Sequence, residues 1–533
     1  MTKQDFARSF RPPVFLALII GALLSLNDIS AAAVTMPKIF GDHMVLQRER
    51  PAPIWGWADP GEKITVEFAG QRKETVADPH GRWEIRLDSM PARSAGEVLR
   101  ISCASTGAGV NKIEFKDVVV GEVWICSGQS NMEVHFAGTK PMNVDLPGLR
   151  FINVAQLFAS APKKDVMASG WIMASRQTAS QCSAVGFCFG HRIHSELGVP
   201  VGLISTSWGG TSIEPWTPLE AFDTVPELAG FIGAFHKEVQ VHRQTLPDKM
   251  KALETWISDA RKSIAADAEL PMEPDWPVYP GAKHKKQPAA IYNAMVYPLI
   301  PYAIRGAIWY QGEANTTTPD YDRNMCALIG GWRRAWGQGD FPFYYVQLAN
   351  YQNDTKDPAG GDTWANLRQH QFMALAITNT GMAVAIDIGD AQNIHPKNKF
   401  DVGERLSLWA LARDYGRTNI VISGPLYRAM KIEGNRIRLS FDYSGGGLMI
   451  GEKTGLDPVR EITNGKLQRF AVAGENKKWV WADAVIDGDT ILVSSPNVPK
   501  PVAVRYAYST NPEGCNLYNR AGLPASPFRT DAW

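Results

Sequence analysis

The chain has 533 residues, 45% of them hydrophobic and 20% charged. That is a globular composition, long enough for roughly two to four domains. With 55 Lys and Arg against 54 Asp and Glu, the balance argues against a nucleic acid or an anionic membrane as main partner, since either favours a basic face.

The N-terminus reads as an export leader. Lys3, Arg8 and Arg11 precede an apolar run from Val14 to Leu24, and Ser30-Ala31-Ala32-Ala33 follows. Positive, apolar, then small is the layout of a cleavable signal, with cleavage expected near Ala33. The run falls short of the roughly 20 residues a stable membrane span needs. A periplasmic or secreted protein is expected.

Residues 34–117 read as an N-terminal β-domain. Pro53-Ile54-Trp55-Gly56-Trp57 and Lys63-Ile64-Thr65-Val66-Glu67-Phe68 alternate with turn signals such as Asp59-Pro60-Gly61, which suggests a sandwich. From 118 to about 420 the texture changes. Buried strand candidates lie at Glu122 to Cys126, Val199 to Ser205, Ala303 to Tyr310, Phe343 to Leu348 and Met382 to Ile388. Helical patterns lie between them, at Phe187 to Leu197 and Trp364 to Ile377. Continuous apolar strands with helical connections predict an α/β domain with a doubly wound parallel sheet. Residues 230–290 read as a surface insertion. It holds a helix from Asp248 to Asp267, with Asp248 as N-cap after Pro247, and a basic cluster, Lys283-His284-Lys285-Lys286, in a solvated loop. From 421 to 533 the β texture returns, as in Arg436 to Phe441 and Thr490 to Ser494. This is a C-terminal β-domain whose tail is open to returning to the α/β domain.

Six cysteines are scattered without a CxxC pair, which argues against a zinc site. Cys182 and Cys188 are near enough to pair, and free buried thiols fit the sequence equally well.

The chemistry centres on Cys126-Ser127-Gly128-Gln129-Ser130-Asn131-Met132, directly after a buried strand. A serine on a tight glycine turn between strand and helix presents its hydroxyl at the sheet edge, beside backbone N–H groups. The match to the G-x-S-x-G elbow is half, because Met132 replaces the second glycine. Ser130 needs a base. Of ten histidines, His395 lies in a loop just past the last apolar strand, where α/β sheets collect functional residues. His191 and His194, three apart on a helix, fit a helix-face role better than a metal site. Ser207-Trp208-Gly209-Gly210-Thr211 and Trp309-Tyr310-Gln311-Gly312-Glu313-Ala314-Asn315 each follow a strand. Gly209 can donate a backbone N–H, and Gln311 or Asn315 a side-chain amide, to an oxyanion.

Together these blocks resemble the sialate O-acetylesterase family within the SGNH hydrolases. Gly121 to Met132 is similar to its nucleophile block, Ser207 to Thr211 to its glycine block, Trp309 to Glu313 to its third block with glutamine for the usual asparagine, and Ile394-His395-Pro396 to its histidine block. Asp42-His43-Met44-Val45-Leu46-Gln47-Arg48 and Gly522 to Asp531 resemble the family's flanks. The resemblance implies an SGNH-like sheet flanked by β-domains. It implies a serine acetylesterase in which Ser130 is nucleophile and His395 base, with Ser130, Gly209 and Gln311 forming the oxyanion hole. It calls for no metal or organic cofactor.

One position departs from the pattern. Where SGNH enzymes carry an aspartate three residues before the histidine, Gln392 stands here. Asp390 is the nearest carboxylate to orient the imidazole; a backbone carbonyl (a Ser–His dyad) and Glu313 are alternatives. The expected partner is an O-acetylated carbohydrate, with Trp208 and Trp309 as stacking platforms and Glu313 as a further contact. An apparently neutral pocket points to plant-wall polysaccharide, xyloglucan or xylan; O-acetyl sialic acid is the alternative substrate. A carbohydrate-binding protein with a decayed esterase site is the alternative of another class.

Overall fold

The computed structural model describes residues 34–105, 109–138 and 142–533, so the expected leader lies outside the described residues. Two compact units result. The smaller holds residues 34–36, 55–85 and 100–114; the larger holds 37–54, 86–99 and 115–533. In the smaller unit Lys63–Phe68 pairs antiparallel with Gln71–Val76 on one side and with residues 100–103 on the other. Ile64, Val66, Phe68 and Ile101 are buried. The expected boundary at 117 is not a break in the chain. One strand, β1 (Gly109–Gly128), runs through it.

The larger unit is mixed α/β around a mostly parallel sheet. Its strands are β1, β2 (Leu146–Asn153), β3 (Ile172–Ala174), β4 (Val201–Ser207), β5 (Gly306–Tyr310), β6 (Phe343–Gln347) and β7 (Thr380–Val384). Their order across the sheet is β7-β6-β5-β1-β4-β2-β3. All neighbours are parallel except β2 and β3. Every residue of β5, β6 and β7 is buried, which explains their unbroken apolar runs. The sequence placed the last strand slightly late, at Met382 to Ile388. Beneath the sheet's other end, buried Glu122 of β1 accepts from Arg305, just before β5, at 2.8 Å.

This order places the loops. β4 and β5 flank β1 on opposite sides, so β1 is a switch point, and the crevice at its C-terminal end is the natural site in such a sheet. Register confirms the level: Gly128 pairs with Ser207 on one side and Tyr310 on the other. Three polar loops therefore leave the sheet at one height.

The insertion differs from its expected form. One helix, Ala229–Ala265, runs straight through Pro247, so Asp248 caps nothing. Most of this helix faces water, where a carbonyl left unpaired by proline is readily hydrated. Its first half is seated: Ile232, Phe235 and Val239 join Ala221, Phe222, Val225 and Ala327 in one cluster.

Residues after 420 form antiparallel sheets around Ile437, Leu439, Val472, Ile491, Val493 and Val504. They are part of the larger unit. Their tail reaches the central sheet, where Gln347 of β6 donates to Ser526 Oγ at 2.9 Å. Arg368, fully buried, donates to the carbonyls of Ser509 and Thr510 at 2.7 and 2.9 Å. All six cysteines are free thiols, Cys182 and Cys188 included. Among the described residues no helix is long and apolar enough to cross a membrane.

Candidate active site

β1 ends at Gly128 with φ of +134°. A Cβ there would lie 2.2 Å from the Tyr310 carbonyl oxygen, so only glycine fits. The next N–H, from Gln129, donates to that same oxygen at 2.9 Å, and Trp208 N–H donates to the Gly128 carbonyl at 3.0 Å. The loops after β4 and β5 thus clamp the turn that carries Ser130. A single helical turn follows, Ser130–Glu133. Ser130 N–H is its first donor and has no acceptor within it. Ser130 itself is partly exposed.

Gly209 approaches closely: a Cβ on it would lie 3.3 Å from Ser130 Cβ. Its N–H is not open to a substrate in this arrangement, however. It donates to Glu133 Oε2 at 2.6 Å, while Gln156 Nε2 holds the other carboxylate oxygen at 2.8 Å. Glu133 was overlooked in the sequence, although the signal was present. It stands three residues after Ser130, and on a helical turn positions three apart share a face. Trp208 is partly exposed. Lys285 Nζ sits 4.6 Å from its ring centre and donates to Gly209 O at 2.9 Å. The basic cluster is therefore not simply a solvated loop. It returns one cation to the glycine block across 76 positions, a separation that local patterning does not reveal.

The third block turns inward. Gln311 is fully buried, and its Nε2 faces three acceptors: Asn315 Oδ1 at 2.6 Å, Gln129 Oε1 at 3.1 Å and Thr211 O at 3.3 Å. Its Oε1 accepts from Tyr321 at 2.6 Å. Two N–H bonds shared by three acceptors leave none for an oxyanion, so Gln311 is a brace for Gln129 rather than the expected donor. Asn315 is likewise engaged, its amide donating to Glu214 and Thr318 at 3.0 Å. Glu313 does not reach outward for substrate. Its Oε1 accepts from Asn131, and its Oε2 is buried without a partner among the described residues. Burial raises its pKa. Trp309 is 1% exposed and packs edge-on against Trp216 and Trp332, with ring centres 5.9 and 6.2 Å away. It is core, not a sugar platform.

His395 follows β7 and is partly exposed. The loop reaches the Ser130 turn through Asn131, whose Nδ2 donates to Ile394 O at 3.0 Å. Asn131 Oδ1 accepts from Lys399, which also lies over the Tyr310 ring, 5.5 Å from its centre. Burial pushes Lys399 down to about 8 against the pull of Glu313. The His395 pKa is lowered, first by burial and then by the Lys399 charge, with Glu133 opposing. A depressed imidazole is neutral near pH 7, as a general base must be. The expected acid does not pair with it. Asp390 Oδ1 accepts from Gln392 N–H at 2.9 Å, closing a turn on its own loop. The carboxylate whose field acts on His395 is Glu133. Elsewhere, His194 Nδ1 bonds Val199 O at 2.6 Å, a structural role.

Residues 283–410 match the family model for carbohydrate esterases described as sialic acid-specific acetylesterases. The chain is 29% identical to sialate O-acetylesterase of Mus musculus and 28% identical to that of Homo sapiens, with 97% of this chain covered in each and 97% and 96% of the relatives. A solved carbohydrate acetylesterase from Xanthomonas citri is 32% identical, with a TM-score of 0.76, over 94% of this chain and 100% of that one. The chain belongs to the sialate O-acetylesterase family. In this member of the family, the segment matched by the family model runs from the basic cluster through the third block to the helix after His395. It therefore contains Lys285, Gln311, Glu313, His395 and Lys399.

Proposed function

We propose that the protein is an exported carbohydrate O-acetylesterase working through a serine acetyl-enzyme. The observation that carries this reading is the convergence of Ser130, Gly209 and the His395 loop at the end of β1, with Asn131 bonded to the residue before the histidine. His395 takes the Ser130 proton as Oγ attacks the acetyl carbonyl. The N–H of Ser130, and that of Gly209 once the carbonyl oxygen displaces Glu133, hold the oxyanion. The bond to the sugar oxygen breaks and His395 protonates the departing alkoxide. Water, deprotonated by His395, then cleaves the acetyl-serine to acetate and regenerates Ser130.

The substrate proposed is an O-acetylated plant-wall polysaccharide such as xyloglucan or xylan. Lys285 favours a second reading, an O-acetyl sialic acid, because its ammonium stands at the glycine block. Acetate release from acetylated xyloglucan, O-acetyl sialic acid and p-nitrophenyl acetate decides between them. Release from the polysaccharide alone supports the first reading, release from sialic acid alone supports the second, and no release from any of the three sinks both.

Glu133 makes a prediction about pH. Its charge raises the His395 pKa, so Glu133→Gln removes that support and the imidazole titrates lower. The acidic limb of the kcat/KM profile is expected to move to lower pH. A limb that stays put, or moves up, removes Glu133 from any role beside His395.

A further inference from the structure

We propose that the cavity between the insertion helix and the turn Glu313–Asn315 is the subsite for the leaving group, binding a neutral, hydroxyl-rich sugar ring next to the acetylated one. The proposal rests on the esterase reading above. The cavity encloses about 490 Å³, within the usual range of roughly 300–1,000 Å³ for small-molecule sites.

Its position ties it to the chemistry. Ala314 and Asn315 line it. Ala314 N–H donates to Gln129 Oε1 at 3.2 Å, and Gln129 is the residue before Ser130. Asn315 Oδ1 accepts from Gln311 at 2.6 Å. A sugar seated on this turn therefore lies against the same framework that holds the nucleophile.

Its lining suits a sugar. Phe231 is 44% exposed and is backed by Phe222, ring centres 5.4 Å apart, so one face is supported while the side chain stays open to a ring. Glu214 and Glu238 stand nearby, each with one oxygen engaged, by Asn315 at 3.0 Å and by Lys283 respectively. The second oxygen of each remains an acceptor, the arrangement that binds hydroxyl hydrogens. With Lys283 paired to Glu238 and Lys286 also in the lining, two cations balance the two carboxylates and leave the cavity without an excess of positive charge. Such a lining accepts hydroxyl groups and offers no unpaired cation cluster to a carboxylate-bearing sugar, which suits a neutral ring. The insertion is thus a recognition element that delivers Phe231 and Glu238 to the site.

The test compares wild type with Phe231→Ala and Glu238→Gln. Two readouts are used: kcat/KM on an acetylated xyloglucan oligosaccharide relative to p-nitrophenyl acetate, and calorimetric binding of the deacetylated oligosaccharide. The expected result is a fall of about tenfold in the ratio for either variant, carried by KM, with a matching loss of binding. An unchanged ratio, or tighter binding of free sialic acid than of the neutral oligosaccharide, overturns the proposal. If wild type releases no acetate from either ester, the esterase reading fails by itself. The binding arm still judges the cavity, and absence of binding to wild type overturns the subsite.

Discussion

Ser130→Ala is expected to lower kcat for acetyl-ester hydrolysis by about 10⁶-fold, because in the proposed mechanism nucleophile and base act as a unit and losing either one removes nearly all of their joint effect. The same logic predicts a similar loss for His395→Ala and little further loss in the double variant. Folding is expected to be untouched. Among the described residues the Ser130 side chain makes no hydrogen bond that holds the fold together; the turn is held by backbone contacts of Gly128 and Gln129. The measurement is single-turnover hydrolysis of p-nitrophenyl acetate alongside thermal unfolding. Substantial activity in the alanine variant, with normal unfolding, would assign the nucleophile elsewhere.

The second large effect concerns stability. Arg405, in helix Lys399–Arg413, grips both oxygens of Asp387 at 2.6 and 2.8 Å and donates to Val384 O at 2.6 Å. The two side chains are only 8% and 2% exposed. Arg405→Met would leave a buried carboxylate without its cation, which costs about 3–5 kcal/mol. Pairing it with Asp387→Leu is expected to recover most of that loss, since two apolar groups leave no orphaned charge. Denaturant unfolding of both single variants and the double variant measures the coupling. A loss below about 1 kcal/mol for the single variant would mean that water reaches the pair. Asp387 stands at the root of the loop that carries His395, so activity is expected to fall along with stability.

Much of the frame was legible because its signals are local. The apolar runs of β4, β5, β6 and β7 stand within a few residues of their expected limits, since a strand covered on both faces leaves no polar interruptions. The Gly128-Gln129-Ser130 turn and the His395 loop could be read because each follows its strand directly. Side-chain direction was not legible. Gln311, Glu313 and Trp309 were expected to face the substrate, yet each points into the fold, where Gln129, Asn131 and Trp216 wait for them. A residue number after a strand fixes a height above the sheet, not the rotamer. Contacts from afar escaped for another reason: Lys285 on Gly209 and Lys399 on Asn131 depend on chain segments with no periodic relation to the blocks they touch. Nearness in sequence favoured Asp390, but sequence does not show that its Oδ1 turns back to accept from the Gln392 N–H.

The carboxylate on the Gly209 N–H also bears on how the catalytic cycle ends. Hydrolysis leaves acetate, an anion, where an uncharged ester entered. With Glu133 beside Ser130 and Gly209, the vacated hole has a resident anion ready to reclaim it. The incoming neutral ester meets only a displaceable hydrogen bond, whereas the departing product meets like charge at short range. In the proposed cycle this resting contact would act as an ejector, biasing the site against its own anionic product.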